Sequence, residues 1–171
     1  PQVFDANAPQ RWAQRTRAEL RGLLSTVEFN EAMQSTINAH YTSPEIASAM
    51  WQTVAPSLDD KATVFEPGCG IGVFMATAPD GVVVHGVEKD PVTARLARAL
   101  HPDHVITHDR IETFDPRVRF DAVIGNVPFA KVAPFDKTLN AGKHSLHNYA
   151  LLKSLSMTNS GGVVAALTTS W

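Results

Sequence analysis

The chain has 171 residues, enough for one domain with a substantial core. Lys and Arg number 15 against 17 Asp and Glu, a net charge of −2, so whole-chain electrostatics make no case for nucleic acid and any such contact must come from a local site. The lone Cys69 excludes an internal disulfide, no apolar run spans a bilayer and no signal-peptide pattern opens the chain; a cytoplasmic protein is the expectation.

In chain order, residues 9–24 predict a helix in which Trp12, Leu20, Leu23 and Leu24 share a buried stripe. A second helix is expected over about 28–38, with Phe29, Met33 and Ile37 at helical spacing. After "NAHYTSP" a third starts with Ser43 as N-cap, Pro44 in its first turn and Glu45 beside it. From residue 61 strands alternate with helices: strands at 62–66, 81–88, 104–109 and 120–126, and helices at 90–100 (capped by Asp90) and 147–158. Gly161-Gly162 is expected to lead into a fifth strand, "VVAALTTS". This alternation predicts an α/β fold, a mostly parallel sheet with helices on both faces. The stretch 127–146 exceeds an ordinary connection and is a candidate functional loop. Pro1 in place of Met, and a chain that stops at Trp171 straight after an apolar strand, suggest a piece truncated at its C-terminus. The expected division is an N-terminal helical segment, 1–40, and an α/β core, 41–171.

"VFEPGCGIGVF" places Gly68, Gly70 and Gly72 just after the first strand, where a tight turn lets a ligand approach the backbone. A flexible strand-to-helix turn would look the same. Three acids add information. Glu66 at the tip of strand one would repel a pyrophosphate and suits a cationic or amino group. Glu88 ends strand two, where an acid can hold both hydroxyls of a ribose, and Asp109 ends strand three within reach of an adenine amino group. A ribose with a cationic group and no phosphate describes S-adenosylmethionine better than NAD. Each acid alone also reads as a solvated strand end or a cap. At the end of strand four, "NVPF" puts an amide, a proline and an aromatic ring where open α/β sheets bind their ligands.

"HYTSPEIASAMW", "EPGCGIG", "GVEKDP", "HD" and "GNVPF", in this order, resemble the amino-adenine (N6) DNA methyltransferases in their gamma motif arrangement. The wording is further similar to the methyltransferase section of large helicase–methylase proteins of phages and mobile elements. The resemblance covers about residues 36–171 and implies a Rossmann-like S-adenosylmethionine-dependent core. Thr42, with Tyr41 beside it, matches the position that holds the methionine end of the cofactor. Glu66, Pro67, Gly68, Gly70, Gly72 and Phe74 match the glycine-turn motif, Glu88 and Lys89 the ribose site, and Asp109 and Arg110 the adenine site. Asn126, Val127, Pro128 and Phe129 match the catalytic Asn-Pro-Pro-aromatic motif, Asn126 also adjoining the cofactor. The Asn126 side-chain oxygen and the Val127 carbonyl would accept the two hydrogens of N6, turning its lone pair toward the methyl group, while Phe129 stacks on the extruded base. Val stands at 127 where the family carries Pro; the acceptor is a backbone carbonyl, which Val also has.

The implied partners are DNA and a fused or associated helicase or target-recognition module; no metal is expected. Two alternatives stay open: methylation of a protein glutamine or an RNA base, and a non-catalytic cofactor-binding module of a defence or anti-defence complex. His101, His104 and His108 read as scattered histidines, His144 and His147 as helix-end residues and Cys69 as small filler. Arg11, Arg15, Arg17 and Arg21 read as a solvated face. Lys131, Lys137 and Lys143 are placed to meet a DNA backbone.

Overall fold

Short β-branched and aromatic runs, each closed by a polar or glycine-rich turn, become the strands of one parallel sheet. The computed structural model describes residues 2–37, 41–128 and 132–168. Helices α1 (Arg11–Leu23), α2 (Thr26–Ile37) and α3 (Pro44–Val54) precede β1 (Thr63–Pro67), α4 (Val73–Ala76), β2 (Val83–Glu88), α5 (Pro91–Leu100), β3 (Val105–His108), β4 (Phe120–Asn126), α6 (Leu146–Met157) and β5 (Thr158–Leu167). The strand order is β3-β2-β1-β4-β5, every neighbouring pair parallel. The order reverses between β1 and β4, so the crevice above their carboxyl ends is the natural ligand site.

Alternation along the strands divides the core. Val64, Val84, Ile106, Ala122 and Ile124 pack with Ala47, Trp51 and Ala94 of α3 and α5. Phe65, Val87 and Val123 face the other way, toward Phe114 between β3 and β4 and toward Met157 at the end of α6. Helices therefore cover both faces, as expected. The Trp51 indole N–H donates to the Phe74 carbonyl (2.8 Å), which anchors α3 to α4 without an unpaired buried donor. Asp121 ties three strands at their amino ends, accepting from the Thr63 amide (2.8 Å) and hydroxyl (3.0 Å) and from the Asn159 side chain (3.0 Å). Among the described residues no helix is long and apolar enough to cross a membrane.

Both predicted caps form: Ser43 accepts from the Ile46 amide and Asp90 from the Thr93 amide. Three expectations are corrected. Trp12 is 56% and Leu23 80% exposed, and the residue α1 buries is Ala13, so the apolar stripe read from 9–24 does not face the core. The fifth strand starts at Thr158, not after the glycine pair. Its register slips between Phe120↔Thr158 and Ala122↔Val163, and the irregularity takes in Gly161, at φ 84°, and Gly162, where a Cβ would lie 2.6 Å from the Asp121 carbonyl. The basic run on α1 is only partly a solvated face: the Arg17 guanidinium donates to the Phe4 carbonyl, and Arg17 and Arg21 both lie over the Phe29 ring. The chain end at Trp171 lies outside the described residues.

At Gly86 in β2, a Cβ would lie 2.4 Å from Met75 Cε and 2.8 Å from Cys69 Cβ. Gly86→Ala is expected to destabilise the protein by about 2 kcal/mol through overpacking beneath the glycine turn, measured by urea unfolding.

Candidate active site

At the carboxyl ends of the strands, the left-handed backbone at Gly68 (φ 72°), Gly70 (56°) and Gly72 (86°) bends the chain after β1 back over β2. The Cys69 amide donates to the Val87 carbonyl (2.9 Å), and the Gly70 amide to Glu88 Oε2 (3.0 Å). Glu88 Oε1 accepts from the Asp90 amide (2.8 Å), so one carboxylate joins the glycine turn to the start of α5. Burial pushes the Glu88 carboxyl above its usual range, against the pull of these two amides.

Glu66 lies deeper, 2% exposed. Its Oε2 is buried with no hydrogen-bond partner, and burial, reinforced by Glu88, pushes the carboxyl well above the usual range. A buried acid without a partner is costly, and a cationic group would relieve that cost.

Asn126 ends β4 beside the turn. Its Nδ2 donates to the Thr42 hydroxyl (3.1 Å), which connects the segment before α3 to the motif after β4 across 84 positions of sequence. A Cβ on Gly68 would lie 3.8 Å from Pro128 Cδ, so glycine turn and Asn-Val-Pro segment are in contact. Val127 is 1% exposed, its amide donating to the Leu167 carbonyl (3.1 Å). Pro67 is fully buried next to Gly125.

Glu66, Pro67, Gly68, Gly70, Gly72, Glu88, Asn126, Val127, Pro128 and Thr42 thus gather at one end of the sheet. The other candidates are placed differently. The Phe74 ring is in the core with Trp51 and Met75. Tyr41 is 77% exposed, and the Lys89 side chain is exposed. Asp109 follows β3, its amide bound to the Glu88 carbonyl, but its Oδ1 already accepts from the Arg110 amide (2.7 Å) and the Thr113 hydroxyl (2.6 Å). Arg110 pairs with Glu112 (3.0 Å). Phe129 and Lys131 lie outside the described residues.

Three of the histidines serve the backbone. His101 Nε2 donates to the Ile71 carbonyl (2.9 Å), His104 Nδ1 accepts from the Val84 amide (3.1 Å), and His108 Nε2 donates to the Lys89 carbonyl (3.1 Å). Burial holds His104 below the usual imidazole range, which suits its acceptor role. Burial pushes the Cys69 thiol far above its ordinary value. Among the described residues no group of three or more His, Cys, Asp or Glu can hold a metal.

Sequence reading missed the framework of the loop before α6. Asp136 accepts from the Tyr149 hydroxyl (2.7 Å), and the 4% exposed Asn140 spans the loop, donating to the Pro134 carbonyl (2.7 Å) and accepting from the His144 amide (2.8 Å). No motif marks these pairs; the only signal is a run of turn-forming Asp, Asn and Gly in a segment too long for a plain connection.

Comparison with solved structures identifies the architecture. Residues covering 74% of this chain and 33% of the other superpose on the methyltransferase subunit of a type I restriction-modification system from Streptococcus thermophilus, with a TM-score of 0.59 at 21% identity. The S-adenosylmethionine-bound amino pentose methyltransferase CalS10 from Micromonospora echinaspora matches over 75% of this chain and 51% of its own, with a TM-score of 0.50 at 21% identity. The fold is that of the S-adenosylmethionine-dependent methyltransferases. Among curated proteins, defense against restriction protein B of Escherichia phage P1 is 27% identical over 157 residues, 87% of this chain. The type II methyltransferase M.CvrRI of Paramecium bursaria Chlorella virus XZ-6E is 36% identical over 73 residues, 41% of this chain. The chain spans only 7% and 19% of the lengths of these two relatives. No protein-family model matches it.

The Glu66 carboxyl gives a pH signature. Held above 4.5 in the folded state, it binds more protons folded than unfolded, so its contribution to stability falls as pH rises from about 4.5 through the folded value. Glu66→Gln is therefore expected to melt at a higher temperature than the parent at pH 8, with the gap closing toward pH 4.5; thermal melts across that range check it.

Proposed function

We propose that this chain is the catalytic core of a methyltransferase that moves a methyl group from S-adenosylmethionine to an exocyclic amine of DNA, the N6 of adenine. The observation that carries the reading is the convergence of a partnerless buried acid, Glu66, with a carboxylate at the next strand end, Glu88, and an amide, Asn126, at the switch point. Glu66 suits the cofactor's ammonium group and Glu88 its ribose hydroxyls, with Gly68, Gly70 and Gly72 in the turn between them. Asp109 has Oδ2 for an adenine amino group, because its Oδ1 caps the following turn. When bound, the cofactor supplies an electrophilic methyl on a sulfonium.

The remaining work belongs to this chain's own groups. The bond from Nδ2 to Thr42 fixes the orientation of the Asn126 amide, with its oxygen at the other end of the same planar group. An amide oxygen and the Val127 carbonyl accept hydrogens from an amine without removing a proton first. Adenine N6, whose lone pair is delocalised into its ring, is the kind of amine that gains from this. Phe129 keeps its sequence-based role as the stacking surface. DNA as substrate is supported by the relatives, among them a type II methyltransferase and a restriction-modification subunit. Residues 1–40 are proposed as a helical segment docked on the core from residue 41 onward; the Glu28–Arg95 ion pair links α2 to α5.

The test is transfer of tritiated methyl groups from S-adenosylmethionine to DNA, RNA and protein. Label is expected in DNA, as N6-methyladenine. Asn126→Ala should lower the rate by about 10²–10³-fold, the usual cost of one aligned donor or acceptor at a reacting centre. Label confined to RNA or protein, or cofactor binding without transfer to any acceptor, would overturn the reading.

A further inference from the structure

Between residue 132 and the start of α6 the chain builds a loop tied by its own hydrogen bonds and holds one aromatic ring out from it. Phe135 is 81% exposed. Both neighbours are fixed: Pro134 is buried with its carbonyl bound by Asn140, and Asp136 accepts from Tyr149 Oη and from the Thr138 and Leu139 amides (2.9 Å each). Leu139 packs on the cluster of Ile111, Val127, Tyr149 and Ala150, so the loop stands on the same residues that seat the candidate catalytic segment. A ring on an anchored backbone contributes little to folding but is placed for a partner, because the ordering cost of its backbone is already met.

The charge around it is selective. Lys137 and Lys143 are exposed, Lys143 on a left-handed turn residue (φ 52°) that fixes where its side chain starts. The acid among them, Asp136, has its carboxylate turned to the Leu139 amide, the Tyr149 hydroxyl and the Thr138 amide, which hold it below the usual carboxylate range. In a chain of net charge −2, this loop presents two cations and an aromatic face. That combination fits a strand of nucleic acid, whose bases stack on aromatic rings and whose phosphates meet lysines.

We propose that the loop 132–145 is the nucleic-acid contact surface of this core. Phe135 stacks on a base of the strand that carries the target amine, and Lys137 and Lys143 meet its phosphates. This rests on the proposed DNA methyltransferase function.

The experiment measures binding of a fluorescein-labelled oligodeoxynucleotide by anisotropy, together with S-adenosylmethionine affinity by calorimetry and tritium transfer to DNA. Phe135→Ala should weaken DNA binding about tenfold and Phe135→Trp should restore it, both with parental cofactor affinity. Lys137→Ala with Lys143→Ala should lower the slope of log affinity against log salt by roughly 1.5. If the parent protein methylates DNA while Phe135→Ala binds and methylates DNA equally well, the loop proposal is wrong and the function stands. If the parent labels only RNA or protein, the function itself is wrong and the loop proposal goes with it.

Discussion

A carboxyl group with one oxygen buried and unpartnered, under a turn that a second carboxylate holds in place, is the constraint around which this end of the molecule is organised. Glu66 at the end of β1 is 2% exposed, and Glu88 at the end of β2 is 8% exposed. Like charges this close in a low-dielectric crevice oppose each other's ionisation. Glu88 is offset by two backbone amides, whereas Glu66 Oε2 has nothing. The fold tolerates that cost at the switch point of the sheet, where ligands of open α/β proteins bind. Local stability is given up at the place where a cationic ligand would restore it.

The rest of the site follows from bringing distant segments to that crevice. The Cys69 amide and the Glu88 carboxylate fold the glycine turn over β2, while Pro128 approaches Gly68 from the β4 side. Thr42 reaches Asn126 from before α3, and α3 is itself held by the Trp51 bond to the Phe74 carbonyl. The proposed chemistry needs little more than this positioning. Two neutral acceptors aligned on an amine act through preorganisation, and preorganisation requires a stiff frame. Parallel strands covered on both faces provide it.

Much of this was legible in the sequence because the physics involved is local. Ser43-Pro44 and Asp90-Pro91 announce helix starts, and both caps form. Glu66, Glu88 and Asn126 stand at strand ends, and a parallel sheet necessarily gathers its carboxyl ends on one side. What stayed hidden depends on long-range partners. Trp12 and Leu23 have helical spacing, yet no core lies opposite them. Gly161-Gly162 resembles the approach to a strand, but the slipped register with β4 draws it into one. Arg17 and Arg21 resemble a solvated face until Phe29 comes beneath them. The Asp136–Tyr149 and Asn140 ties are pairings that no local pattern encodes.

The measurement that tests the central claim most directly is proton release on cofactor binding. S-adenosylmethionine would be titrated into the protein near pH 7 by calorimetry, in buffers of different ionisation enthalpy. If Glu66 is protonated in the free protein and ionises against the cofactor's ammonium group, binding releases about one proton, and Glu66→Gln abolishes the release. Tight binding with no exchange of protons, unchanged in Glu66→Gln, would contradict the account.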